Sequence, residues 1–113
     1  MSIAKGAAAE QTAADFLVAQ RLKIVARNWR CRLGEIDLIA DDRGTLVFVE
    51  VRKRSDPRFG DAAASITPAK QAKLIATAQL YLSTLPRVPP CRFDAVLIDG
   101  NGAPRWLKHI IEQ

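Results

Sequence analysis

Apolar and polar positions repeat along this chain with two different periods. From Ile3 to about Gln20 they recur at helical spacing: Ala13, Phe16, Leu17 and Gln20 map one side, and Glu10, Ala14, Leu17 and Arg21 an adjoining stripe. This predicts a first helix, with Ser2 placed as its cap. The period then falls to two. Ile24, Ala26 and Asn28 alternate against Val25, Arg27 and Trp29, predicting a short strand between Leu22 and Trp29.

Two longer alternating runs follow, Gly34-Glu35-Ile36-Asp37-Leu38-Ile39-Ala40 and Thr45-Leu46-Val47-Phe48-Val49-Glu50-Val51-Arg52. They flank the polar stretch Asp41-Asp42-Arg43-Gly44, which predicts a β-hairpin. Strand alternation puts Glu35 and Asp37 on one face, with Ile36, Leu38 and Ala40 on the other. On the second strand Leu46, Phe48, Glu50 and Arg52 share a face opposite Val47, Val49 and Val51. With Arg43 and Gly44 as the turn residues, Asp37 falls directly across from Glu50; a bulge at Gly44 would change that pairing.

Lys53 to Asp61, rich in charge and carrying Pro57 and Gly60, reads as a loop. Thr67 and Pro68 then supply a helix cap and a first helical residue, and the helix runs to Leu82 or Leu85. Leu74, Ala78, Tyr81 and Leu85 form its inward stripe, with Gln71 on the N-terminal extension and Lys70, Lys73 and Thr77 on a neighbouring polar side. Pro86, Pro89 and Pro90 end the helix in a stiff connection. Cys91 to Ile98 predicts a strand, Asp99-Gly100-Asn101-Gly102 a turn, and Arg105 to Ile111 a final strand containing His109. The predicted order is helix, three strands, helix, two strands. That is a mixed α/β architecture in one domain spanning 1–113.

Composition narrows the class. Of 113 residues, 49% are hydrophobic and 26% charged, which suits a folded soluble domain. No apolar run is long enough to cross a bilayer, so no membrane is expected as a partner. Ala7 to Ala9 runs straight into Glu10 and Gln11 without the apolar core of a signal peptide, which makes the cytoplasm the expected location. Cys31 and Cys91, with His109 the single histidine, make neither a disulfide framework nor a structural zinc set. A net charge of +5 favours an anionic partner, nucleic acid ahead of an acidic protein or lipid surface.

Within this basic chain, Asp37 and Glu50 converge. Two ionised carboxylates about 4 Å apart repel by roughly 4 kcal/mol at an effective dielectric of about 20. A shared proton, a basic side chain or a divalent cation would offset that repulsion. An all-oxygen cluster suits magnesium or manganese. The alternative is a pair of hydrated edge carboxylates matched by Arg52 or Lys53. Glu10 either approaches the sheet or faces solvent near the positive end of its helix. Arg30, Arg32, Lys53, Arg54 and Arg58 are candidate phosphate contacts; Lys70 and Lys73 either balance phosphate charge or solubilise their helix. Gln71 is placed to orient a water or a phosphate. Trp29 packs or stacks on a base, and Phe59 anchors its loop or presents an edge.

These residues together resemble the YraN family, UPF0102, within the restriction-endonuclease-like superfamily. The resemblance is carried by the helix with Glu10, Arg27-Asn28-Trp29, Gly34-Glu35-Ile36-Asp37-Leu38-Ile39, Phe48-Val49-Glu50-Val51-Arg52, Phe59-Gly60 and Lys70-Gln71. It implies the mixed sheet flanked by helices of PD-(D/E)xK nucleases and archaeal Holliday-junction resolvases. By that resemblance Asp37 and Glu50 are the metal-binding carboxylates, Glu10 a further acid from the first helix, and Gln71 a polar residue from the second. Arg52 stands where the lysine of Glu-x-Lys is expected. Arginine stays protonated and is a poor general base, so water activation falls to the metal and Arg52 is left to stabilise phosphate charge. The implied activity is magnesium-dependent cleavage of DNA, with branched or junction DNA as substrate and a homodimer making paired cuts. Manganese is an alternative metal and RNA an alternative substrate. A DNA-binding or repair-accessory protein that does not hydrolyse its ligand is the competing reading.

Overall fold

The computed structural model describes residues 2–54, 66–99 and 103–111, with side chains described from residue 7 onward except at Arg54 and Asp99. Helix α1 (Ser2–Ala19) leads into strands β1 (Lys23–Cys31), β2 (Gly34–Asp42) and β3 (Thr45–Arg54). Helix α2 (Pro68–Leu82) and strands β4 (Cys91–Asp99) and β5 (Arg105–Leu107) follow. The predicted succession of elements is the observed one. The five strands among the described residues form one sheet in the order β1-β2-β3-β4-β5. Only β3 and β4 run parallel, because only they are joined through a helix long enough to return the chain to the same end of the sheet.

Each helix covers one sheet face. Ala13, Ala14 and Leu17 of α1 pack on Leu38, Ala40, Val47, Val49 and Val96. Leu74 and Ala78 of α2 pack on Ile36, Ile39, Leu46, Phe48 and Phe93. The small alanines of α1 let its backbone lie close to a valine-rich face. The α2 face is filled by rings instead: Tyr81 meets Trp29 and Phe48 edge-on, at 5.3 and 6.1 Å between centroids. Trp29 is thus a packing residue, half-buried under α2.

The hairpin between β2 and β3 turns on Arg43 and Gly44, with φ of 54° and 95°. Two consecutive positive φ values match the right-handed twist of the flanking strands, and glycine adopts the second without a side-chain clash. Gly44 N–H donates to Asp41 Oδ1 at 2.8 Å, holding the turn. Pairing then runs without a bulge from Asp42↔Thr45 to Leu38↔Val49, which fixes the expected register.

Strand β1 departs from simple alternation. Its register shifts between Ile24 and Ala26, so these two residues join opposite cores. Asn28, whose short polar side chain tolerates the left-handed region, has φ 50° and opposes Asp37 between the pairs Arg27↔Leu38 and Trp29↔Ile36. Past this point Trp29 and Ile36 lie under α2, while Arg27 reaches α1 through Gln11. The expectation that Ile36 shares a face with Leu38 and Ala40, and the regular alternation of β1, are therefore corrected.

Helix α2 begins where Thr67 and Pro68 predict. Thr67 Oγ1 accepts the Lys70 N–H at 3.3 Å. Thr67→Ala should cost about 1 kcal/mol of unfolding free energy in urea titration. Ser2, by contrast, lies inside α1 rather than ahead of it. The last strand stops at Leu107 instead of continuing to Ile111. His109 adopts φ 56° and its N–H donates to the Asp94 carboxylate at 3.0 Å, which turns the chain out of the ladder. The loop residues Arg58, Phe59 and Gly60 and the turn at 100–102 lie outside the described residues. Cys31 and Cys91 are unpaired and half-buried.

Candidate metal centre

The site lies where β2 and β3 part. Their ladder ends at Leu38↔Val49, and the next residue, Asp37, replaces a backbone bond with a side-chain one. Asp37 Oδ2 accepts the Val51 N–H at 2.8 Å. This bond draws the carboxylate into the fork between the strands, where elements of both layers can reach it. The left-handed turn at Asn28 on the neighbouring strand coincides with this departure.

Glu10 comes to the fork from α1 and Glu35 from the start of β2. One carboxylate oxygen from each of Glu10, Glu35 and Asp37 lies within 4.8 Å of the others. The Asp37 carboxyl pKa is raised from 3.8 to about 7, with burial the main cause and the charge of Glu50 the next. Within that net rise the Val51 N–H pulls downward, and Glu10 and Glu35 add smaller pushes upward. Burial also lifts the Glu50 carboxyl, against the lowering effects of Arg52 and Lys70.

Glu50 and Arg52 face α2. Glu50 Oε1 lies 2.8 Å from Arg52 Nη2, with 13% and 26% of the side chains exposed. Arg52 Nε is buried with no hydrogen-bond partner among the described residues. The pair lines a cavity of about 160 Å³ with Gly34, Glu35, Lys70, Lys73, Leu74 and Thr77. Strand β2 starts tight against α2 here: a Cβ on Gly34 would sit 3.0 Å from Thr77 Oγ1. Thr77, expected on a polar side, is buried and donates to the Lys73 carbonyl at 2.8 Å.

The remaining expected residues divide. Lys70 and Lys73 stand exposed on the cavity wall. Gln71 does not join the carboxylates: it is half-buried and its Nε2 donates to the Ile66 carbonyl at 3.3 Å. Arg30 is tied to Glu35, with Nε 2.5 Å from Oε2. Arg32, in the β1–β2 connection, and Lys53, on β3, are exposed. Arg54 closes β3, its side chain lying outside the described residues, as Arg58 does entirely. Glu35 was not among the residues expected in the site, although strand alternation had already set it beside Asp37. His109 is exposed and remote in role, contributing its backbone to Asp94.

The donor chemistry fits a hard divalent cation. Glu10, Glu35 and Asp37 offer only oxygen, and their mutual repulsion is what such a cation would relieve. Magnesium and manganese fit this set better than zinc does.

Acidic residues gathered in the fork of a mixed sheet, between two helices, define an α/β protein with a candidate divalent-cation site. The family model described as "Uncharacterised protein family UPF0102" matches residues 9–98. The chain belongs to this family, also called YraN. A UPF0102 protein of Nitrosomonas europaea is 54% identical over 111 residues, covering 96% of this chain and 94% of the relative. One from Nitrosomonas eutropha is 52% identical over 109 residues, with the same coverages of 96% and 94%. One from Nitrosococcus oceani is 58% identical over 109 residues, covering 92% and 88%.

Proposed function

We propose that this protein is a divalent-cation-dependent endonuclease of the restriction-endonuclease-like, PD-(D/E)xK type, hydrolysing phosphodiester bonds in cytoplasmic DNA. One observation carries the reading: Glu10, Glu35 and Asp37 converge within 4.8 Å beside a cavity walled by Arg52, Lys70 and Lys73. Carboxylates and cations in adjoining compartments suit a phosphodiester, which needs positive charge around its oxygens and a hard metal at the scissile bond.

Asp37, with Glu10 and Glu35, would hold magnesium or manganese. When bound, the cation supplies charge neutralisation and a more acidic water. The chain's own residues do the rest. Val51 N–H fixes the Asp37 carboxylate. Glu50 orients Arg52, whose guanidinium stabilises charge on the attacked phosphate. Lys70 and Lys73 neutralise it from the cavity wall. Gln71 acts through the Ile66 carbonyl that it holds. Arg32, Lys53, Arg54 and Arg58 carry the flanking backbone, and Arg30 does so from its pairing with Glu35. Branched or four-way-junction DNA is the proposed substrate, cut in pairs by a homodimer; RNA presents the same phosphodiester chemistry.

A second reading is favoured by Arg52. A guanidinium that stays protonated and is engaged by Glu50 binds phosphate without serving as a base, as a nonhydrolytic DNA-binding or repair-accessory protein would need. Incubating the purified protein with duplex, single-stranded and four-way-junction DNA separates the two. Magnesium, manganese and chelator are the arms, and product ends are mapped. Internal cuts that require a cation are expected. Salt-sensitive binding with no cuts under any cation would replace the nuclease by the binding protein.

A further inference from the structure

Helix α2 separates two cavities. The first, on its β2 side, belongs to the candidate centre. The second opens on its β4 side and measures about 540 Å³. The buried Phe48, Ala78 and Phe93 form its floor, the half-buried Ile75, Leu82 and Cys91 its walls, and the exposed Gln79 and Val88 its rim. The Cys91 thiol donates to the Pro89 carbonyl at 3.1 Å, and burial raises its pKa, so it adds no charge at neutral pH.

We propose that this groove docks an acidic peptide segment of a partner protein, which inserts one bulky apolar side chain and holds its carboxylates at the rim. Charge complementarity selects that partner. From Ala62 to Phe93 the sequence has no acidic residue and four basic ones. Lys70 and Lys73 line the first cavity, and Arg92 is engaged by Asp42 and Asp94. Arg87, beside Val88 in the connection that forms the rim, is exposed and has no ion-pair partner among the described residues. Nearby, at the hairpin end of the sheet, β4 begins opposite Leu46. The acids there are already engaged, Asp41 by the Gly44 N–H and Asp42 by Arg92. A carboxylate approaching the rim therefore meets an unopposed positive field.

Other occupants fit less well. A second copy would set the same acid-free surface against itself across a two-fold axis. Single-stranded nucleic acid would find no ring face to stack on, since Phe48 and Phe93 are 2% and 3% exposed. A free small molecule needs a site that encloses roughly 70–90% of its surface, and this rim is open, with Val88 70% exposed. A peptide inserts one anchor and leaves its backbone in water, which suits such a groove.

Fluorescence anisotropy on the full-length chain tests the proposal, with short labelled peptides in which aspartates surround a leucine, phenylalanine or tryptophan. At least one should bind about tenfold or more tightly than peptides with alanine at the centre or lysines in place of the aspartates. Arg87→Glu and Val88→Glu, at exposed positions outside the candidate centre, should each weaken binding by about tenfold or more. Arg87→Glu should also flatten its salt dependence. Circular dichroism confirms that both variants are folded, and methyl resonances of Ile75, Leu82 and Val88 should shift as the peptide saturates. Binding by no peptide, equal binding of the alanine-centred one, or unchanged affinity in either variant overturns the proposal. Three further results overturn it by naming another occupant. Displacement by phenylacetate makes the groove a small-molecule site, and displacement by oligothymidine a nucleic-acid site. A wild-type dimer in sedimentation that Val88→Glu dissociates makes it an interface between copies.

Discussion

Asp37→Asn is expected to abolish cation-dependent cleavage, by a factor on the order of 10² or more, without destabilising the cation-free protein at neutral pH. The side-chain size is kept, and the amide oxygen can still accept the Val51 N–H that fixes Asp37 in the fork. What disappears is the charge. Burial and the neighbouring Glu50 make that charge costly, raising the carboxyl pKa from 3.8 to about 7. Between these values the unfolded chain releases a proton that the folded protein keeps. Asp37 therefore contributes stability that is fully present below the unfolded pKa and is lost as pH rises through about 7. Asparagine does not titrate, so the melting temperature of the variant relative to wild type should climb from roughly pH 4 to roughly pH 7.

A cation reverses the sign. It requires the ionised carboxylate, so its affinity for wild type should rise with pH up to about 7, and binding should release a proton. The variant should show neither effect. Thermal unfolding across this range, with and without Mn²⁺, checks the linkage, and single-turnover cleavage checks the chemistry. An Asp37→Asn protein that cleaves at the wild-type rate with the wild-type cation dependence removes Asp37 from the centre.

The sequence already held the frame of this site because two local rules agreed at the hairpin. Arg43-Gly44 admits a tight turn with two positive φ values, and period-two alternation then leaves one register, with Asp37 next in line to Glu50. Thr67-Pro68 marked the start of α2, and with it the placement of Lys70 and Lys73. Where side chains departed from their expected places, a nonlocal contact had overridden the local pattern. Asn28 turns left-handed, and at the same level Ile36 packs in the core under α2 and Asp37 accepts the Val51 N–H in the fork. Gln71 Nε2 donates to the Ile66 carbonyl, a contact that helical spacing alone does not encode. Glu35 was legible as a neighbour of Asp37; its convergence with Glu10 depends on how α1 crosses the sheet, which no strand period encodes. The partition of the network around Asp94 was least legible, since its members are scattered from Asp42 to His109.

Arg92→Ala should destabilise the protein by about 3–5 kcal/mol, a large effect for a change outside the candidate centre. Asp94 is completely buried on β4, where its carboxyl group is met by side-chain and backbone donors. Arg92 Nε donates to its two oxygens at 3.2 and 3.1 Å, Trp106 Nε1 to Oδ2 at 2.9 Å, and His109 N–H to Oδ1 at 3.0 Å. Arg92 Nη2 continues to Asp42 at 2.8 Å, at the hairpin end of β2. Through Asp42 and Asp94, this guanidinium on β4 links the hairpin end of β2 to the short last strand. Burial alone would lower the Arg92 pKa, but the hydrogen bonds and charges of Asp42 and Asp94 raise it above the usual value. Removing Arg92 strands a carboxylate that has no water around it. Asp42→Asn should cost less, because Asp42 is 21% exposed and water can replace the lost charge contact. Arg92→Met combined with Asp94→Leu should cost less than the sum of the single changes, since neither charge is then left alone. Recovery should stop short of wild type because the Trp106 and His109 donors lose their acceptor. Urea unfolding of the two single variants and the double variant measures the coupling directly. An additive cycle, or a loss below about 1 kcal/mol for Arg92→Ala, would show that Asp94 does not depend on this ion pair.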